Sequence, residues 1–191
     1  MIIHTIFAAS SLSNIYLISN EEHELLIVDP AEIRDEMIQY IEEKHLKLKG
    51  VLLSHLHKSH IAGLLTLEKI YPSPFYSMVK AYNDHSIRIE SEKPFEIGSF
   101  IIEAITIRGH SDDSAVYKID NALFTGDTLY AGKIASTDSI MKREHLIKDI
   151  NDKIMTLDEN MLIFPGHGPT SKIRIEKMFN IDLISSQASY L

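Results

Sequence analysis

The chain carries ten histidines, and three of them fall within the stretch Ser54-His55-Leu56-His57-Lys58-Ser59-His60. Residues two apart on a helix do not share a face, so His55 and His57 can meet on one ion only from a strand end or an irregular loop. The apolar run Val51-Leu52-Leu53 just ahead of them predicts a buried strand that delivers the cluster. Neutral imidazole suits borderline ions such as zinc, so the spacing fits a metal site. A solvated, histidine-rich loop has the same composition, and this stretch alone leaves the two readings even.

Three more apolar runs end in polar motifs that hold a metal-ligand residue type: His110 after Arg108, Asp127 after Thr125, and His167 after Phe164. The other five histidines, His4, His23, His45, His85 and His145, lie in strand, turn or helix contexts without such a pattern. Those five are expected to be surface or satisfied core residues.

The elements that must position these groups can be read from apolar periodicity. Ile2 to Ala8, Asn14 to Ser19 and Glu24 to Val28 predict an antiparallel meander closed by Asp29-Pro30. Ile33, Met37, Ile38 and Ile41 predict an amphipathic helix from about Glu32 to His45. A helix is expected from Ile61 to Tyr71, a short strand at Phe75 to Met78, and a helical turn at Val79 to His85. Pro94 precedes a strand pair turning at Gly98, with its second member at Ser99 to Arg108. Ser114 to Ile119 and Ala122 to Thr125 predict a hairpin. Met141 to Leu157 predicts the longest helix, Met161 to Phe164 a buried strand, and Pro169 to about Phe179 a last helix. Two sheets packed face to face with helices outside satisfy this order.

At 191 residues the chain suits one domain, 1–191, and can bury roughly 70% of its unfolded surface without staples. The absence of cysteine excludes disulfides and thiolate ligands. No signal peptide and no bilayer-length apolar run are visible, so a cytoplasmic protein without a membrane partner is expected. A net charge of −8 disfavours nucleic acid as a partner.

Taken together, the motifs resemble the metallo-β-lactamase superfamily, and within it the glyoxalase II-like (hydroxyacylglutathione hydrolase-like) enzymes. That family's His-x-His-x-Asp-His motif is matched by His55, His57 and His60, and its Gly-His-Ser/Thr motif by Gly109-His110-Ser111. Its Phe-x-Gly-Asp-Thr-Leu-Phe-x-Gly motif appears as Phe124-Thr125-Gly126-Asp127-Thr128-Leu129-Tyr130-Ala131-Gly132. Its Pro-Gly-His-Gly-Pro motif stands at 165–169. The resemblance implies an α+β fold, a four-layer αββα sandwich with the metal site at one edge between the sheets. It further implies one ion on His55, His57 and His110 and a second on His60 and His167, bridged by Asp127. A metal-bound hydroxide would then attack a small acyl thioester or ester. Zinc is the expected metal, with iron or manganese as alternatives.

Two departures qualify what the resemblance implies. Ser59 stands where the family has Asp, so a neutral hydroxyl replaces a charged ligand and the second ion is expected to be weak or absent. Asp127 and the position held by Ser59 are the catalytic candidates. Asp112 or Asp113 could substitute for the missing carboxylate, but capping of their own loop is the favoured role. Ser136 replaces the basic residue thought to grip the anionic end of glyoxalase II substrates. Lys133 and Tyr130 are therefore the substrate candidates. The expected function is a metal-dependent hydrolase, plausibly a thioesterase. The alternatives are a catalytically degenerate metal- or partner-binding member and a phosphodiesterase or nuclease.

Overall fold

The computed structural model describes residues 1–80, 84–90 and 92–188. Strands β1 (Ile2–Ala8), β2 (Ser13–Ser19) and β3 (Glu24–Val28) form the expected antiparallel meander. A parallel extension follows through β4 (Lys47–Leu52), β5 (Phe75–Ser77) and β6 (Ser86–Arg88). The second six-stranded sheet holds β7 (Phe95–Ile97), β8 (Phe100–Thr106), β9 (Ala115–Ile119) and β10 (Ala122–Gly126). Beyond β10 come the parallel strand β13 (Leu162–Pro165) and the antiparallel edge strand β14 (Ser171–Lys172). A two-stranded hairpin, β11 (Leu129–Tyr130) and β12 (Lys133–Ile134), projects after β10.

Alternation along the strands sets the layers. In β2, Tyr16 and Ile18 point toward the second sheet, whereas Ile15 and Leu17 face the outer helices. Both faces are covered, which is why all seven of its residues are buried. The core between the sheets pairs Tyr16, Leu26 and Leu52 with Phe100, Ile102, Tyr117 and Phe124. Outside the first sheet, α1 (Asp35–Glu43) contributes Met37 and Ile41, and α3 (Leu64–Ile70) contributes Leu64 and Leu67. Outside the second sheet, α4 (Ile140–Asp149) contributes Leu146, and a following π-turn contributes Ile150 and Ile154. The αββα sandwich is thus observed, with α5 (Ile173–Phe179) and α6 (Ile181–Ala188) closing the chain.

Several boundaries differ from expectation for visible reasons. The helix expected at Ile61–Tyr71 is split into α2 (Lys58–Ile61) and α3. The break falls at Gly63, whose N–H donates to the Pro30 carbonyl at 2.9 Å. A Cβ there would sit 2.7 Å from that same oxygen. His60 consequently rides on a helical turn rather than in a loop. The single helix expected over Met141–Leu157 opens into the π-turn, where Met155 N–H reaches back to Ile150 at 2.9 Å. That register keeps Ile150 and Ile154 both buried. The helical turn expected at Val79–His85 includes 81–83, which lie outside the described residues.

The sheets are also tied at the end away from the histidines. The Glu24 carboxylate at the start of β3 accepts the Ser99 N–H and hydroxyl, each at 2.8 Å, and lies 3.1 Å from Lys49 Nζ. These hydrogen bonds hold its carboxyl down at about 2. A depressed carboxylate contributes stability above its unfolded value near 4.5 and loses it as pH falls toward 2. Glu24→Gln is therefore expected to cost about 1–2 kcal/mol at pH 7, trimmed by solvent contact. Urea midpoints at pH 7 and pH 3 test this, since the gap between variant and wild type must shrink at the lower pH.

Candidate metal centre

Ser54 follows β4 and begins the histidine segment, and its backbone is fixed from two sides. Its N–H donates to Asp29 Oδ1 at 2.7 Å, and its carbonyl accepts the Ala115 N–H at 2.8 Å across the sandwich. Asp29 follows β3 in the left-handed region, with φ 51°, which turns its carboxylate under the histidines. From β10, Gly126 (φ 49°) brings Asp127 in so closely that a Cβ at 126 would lie 2.4 Å from Ser54 Oγ. The Pro165–Gly168 turn after β13 is pinned by Asn14 and Tyr16 of β2, whose side chains donate to Pro165 O at 3.0 and 2.6 Å. Both sheets therefore meet at this end of the sandwich.

Six side chains converge there in two groups sharing Asp127. His55 Nε2, His57 Nδ1, His110 Nε2 and Asp127 form one group, and His60, His167 and Asp127 form the other. Asp127 divides its oxygens between them. Oδ2 lies 3.8 and 3.7 Å from His55 and His110 Nε2, whereas Oδ1 lies 3.1 and 3.5 Å from His60 and His167 Nε2.

The donor set fits a cation. His57 Nδ1 is 2.9 Å from His55 Nε2 and 3.2 Å from His110 Nε2. Tetrahedral zinc with bonds of about 2.0–2.1 Å spaces its nitrogen ligands about 3.3–3.4 Å apart, close to these distances. His60 Nε2 and Asp127 Oδ1 are buried and, despite lying 3.1 Å apart, have no hydrogen-bond partner among the described residues. An orphaned buried acceptor facing an orphaned ring nitrogen is what a shared ion would satisfy.

The far nitrogen of each Nε2-facing ring is tethered. Ser54 Oγ donates to Asp29 Oδ2 at 2.6 Å and lies 3.1 Å from His55 Nδ1, while His60 Nδ1 lies 3.1 Å from the same Asp29 oxygen. His110 Nδ1 meets the Ser136 carbonyl at 3.0 Å, and His167 Nδ1 meets the Leu12 carbonyl at 2.7 Å. Acceptors at Nδ1 leave Nε2 as the free lone pair, the arrangement typical of metal-ligating histidines. Burial, aided by the positive His60 nearby, lowers His55 to about 4 and keeps it neutral. Burial opposes protonation of His60, but the flanking Asp127 and Asp29 carboxylates overcome it and push the ring up to about 10. His60 must give up that proton to serve as a ligand. Burial also acts against an ionised Asp127, yet His60 and the other imidazoles hold its carboxyl at about 2.

The remaining sequence candidates are placed as follows. Ser59 lies in α2, where its carbonyl accepts the Ser13 hydroxyl at 2.8 Å. Its own hydroxyl makes no hydrogen bond among the described residues, so it joins neither group. Asp113 accepts the Ser111 hydroxyl within its own loop, but it also accepts the Leu56 N–H at 2.9 Å and so ties that loop to the histidine segment; Asp112 is exposed. Tyr130 stands beside the second group, its ring centroid 6.2 Å from that of His167. Burial, the nearby Asp127 charge and a hydrogen bond from the phenol to that carboxylate push the phenol well up. Lys133 is exposed on β12, and the group its charge acts on is Asp182 of α6. Asp29 and Ser54 were not singled out by the sequence, where Asp29-Pro30 read only as a strand stop. The available signal was an acid ending an apolar strand that both neighbours bury.

A sandwich of this layering, with histidines and one shared carboxylate gathered at a strand end, defines a known class of metal-binding hydrolase fold. The chain belongs to the metallo-β-lactamase superfamily, whose description matches residues 11–84. It is 31% identical to "Probable metallo-hydrolase YqgX" of Bacillus subtilis (strain 168), over 85% of this chain and 87% of that protein. A hydroxyacylglutathione hydrolase of Francisella philomiragia is 29% identical over 84% of this chain, but the match spans only 65% of that longer relative. The crystal structure of BLEG-1 B3 metallo-beta-lactamase superposes with a TM-score of 0.88 at 25% identity, covering 95% of this chain and 99% of that one. Among the described residues no helix is long and apolar enough to cross a membrane.

Proposed function

We propose that the protein is a metal-dependent thioesterase of the glyoxalase II-like type, acting on a small acyl thioester with one firmly held ion. The observation that carries this reading is the divided carboxylate of Asp127, with His55 and His110 beside one oxygen and His60 and His167 beside the other. A relative named for hydrolysing hydroxyacylglutathione, itself a thioester, supports the substrate class.

His55, His57, His110 and Asp127 Oδ2 would hold the firmly bound ion, and His60, His167 and Asp127 Oδ1 the weaker one. Zinc matches the nitrogen-rich set, and iron or manganese would also fit it. A divalent ion held there supplies Lewis acidity toward a carbonyl oxygen and brings the pKa of water toward about 7. The chain's own groups do the rest. Asp29 and Ser54 fix the tautomers of His60 and His55, so neither ring swings away from the site. Buried His55 and His60 close the inner wall, whereas exposed His57 and half-buried His110 and His167 leave the outer side open to a ligand. Asp127 Oδ2, between His55 and His110, would also accept a hydrogen bond from the attacking water and orient it. Turnover of acyl thioesters, and not of chromogenic phosphodiesters, by protein loaded with zinc, manganese or iron is the test. Silence toward every thioester would overturn the reading.

The group around His60 has two imidazoles and half of a shared carboxylate, and Ser59 brings no charge to it. One tightly bound ion per chain is therefore expected by elemental analysis of the wild type, and two in Ser59→Asp. Two tightly held ions in the wild type would sink the proposal of a weak second site.

A further inference from the structure

The C-terminal helices grip the β11–β12 hairpin by its backbone. Glu176 of α5 is only 1% exposed, and its Oε2 accepts the Gly132 N–H at 2.8 Å and Asn180 Nδ2 at 2.7 Å. Its other oxygen accepts the Ser171 hydroxyl. The Gly132 carbonyl accepts the Ile181 N–H at 3.3 Å, so both polar groups of this left-handed turn residue (φ 81°) are held by the α5–α6 junction. Two residues on, the Ile134 N–H donates to Asp182 Oδ2 at 2.9 Å, and Arg143 of α4 binds Asp182 Oδ1 at 2.6 Å. A hairpin of two-residue strands has little stability of its own, so these contacts set its position.

That hairpin carries Tyr130, whose ring meets the ring of His167 edge-on with centroids 6.2 Å apart. The phenol adds a hydroxyl where the family's motif has Phe. A buried carboxylate that takes three donors, one of them from the hairpin's turn, does more than cap a helix. We propose that Tyr130 is a ligand-contacting residue whose hydroxyl donates to an oxygen or thiolate of the bound molecule, and that Glu176 is the positioning residue that holds it there. The assignment deepens the hydrolase reading and rests on it for the nature of the ligand.

The test is a double-mutant cycle on Tyr130→Phe and Glu176→Gln in the zinc-loaded full chain, with mercaptoacetate as probe and its dissociation constant read by calorimetry. Each single variant is expected to weaken the probe roughly ten- to a hundredfold, the scale of one lost hydrogen bond to a bound anion. The double variant is expected to be no weaker than Tyr130→Phe alone, because Glu176 acts through that hydroxyl. Amide exchange over 129–134 is expected to quicken in Glu176→Gln and to stay as in the wild type in Tyr130→Phe. Additive losses in the cycle, or unchanged exchange in Glu176→Gln, would overturn the assignment. Should Glu176→Gln not fold, Asp182→Asn on the half-exposed side of the same latch takes its place. Probe binding and exchange need no turnover, so a failed thioester assay would count against the hydrolase reading and leave this result standing.

Discussion

Asp127→Asn is expected to empty both halves of the centre at once. The substitution keeps the shape of the side chain but removes its charge, and it turns an NH2 toward one of the two imidazole groups. Each group then loses its anionic donor, since Oδ2 serves His55 and His110 while Oδ1 serves His60 and His167. Outer partners of metal ligands are worth about 10–100-fold in affinity, so loss of the shared donor itself is expected to exceed about a hundredfold. Hydrolysis should fall in step, because the same carboxylate would also orient the attacking water. Elemental analysis after gel filtration, beside a thioester assay at saturating zinc, reads both effects. A variant that kept its ion and its rate to within about threefold would show that the imidazoles suffice.

The second large effect is expected from Asp29→Asn, although Asp29 touches no ion position. Its carboxylate takes the Ser54 N–H and hydroxyl and faces His60 Nδ1, and so it orients His60 directly and His55 through Ser54. Asparagine tolerates the left-handed backbone at this position, which separates the loss of charge from backbone strain. Its NH2 accepts no hydrogen bond, so at least one of the buried donors, the Ser54 N–H, the Ser54 hydroxyl or His60 Nδ1, is left without a partner. A stability loss of about 1–3 kcal/mol in the presence of chelator is expected, read from urea unfolding. Zinc affinity measured by competition should fall about 10–100-fold. Unchanged zinc affinity would mean that the rings hold their orientation by packing alone.

How much of this was legible in the sequence depends on the range over which each feature acts. His55, His57, His110, Asp127 and His167 were readable because each follows an apolar run and sits in a motif with its own spacing. Asp29 was not, because its partners lie 25 and 31 residues away and leave no local pattern. The meander and the hairpin of β9 and β10 were visible as apolar-rich runs of five to seven residues bounded by polar turns. Strands β6, β11 and β12 span two or three residues, too few to show a period, and they exist because neighbouring backbone pairs with them. The split between α2 and α3 was hidden for a related reason. Gly63 breaks the helix through the carbonyl of Pro30, a contact with no apolar signature.

The two histidine groups differ in number, but both draw donors from each side of the sandwich. His55, His57 and His60 follow β4 of the first sheet, whereas His110, Asp127 and His167 follow strands of the second. An ion seated there would act as a rivet between two layers that otherwise adhere through side-chain packing and a few hydrogen bonds across the sandwich. Its binding free energy then adds to the cohesion of the whole body, by about 2.7 kcal/mol when free ion stands at a hundred times its dissociation constant. Melting temperature becomes a gauge of available metal, and a cell short of that metal would hold less of the folded protein as well as less of the loaded enzyme.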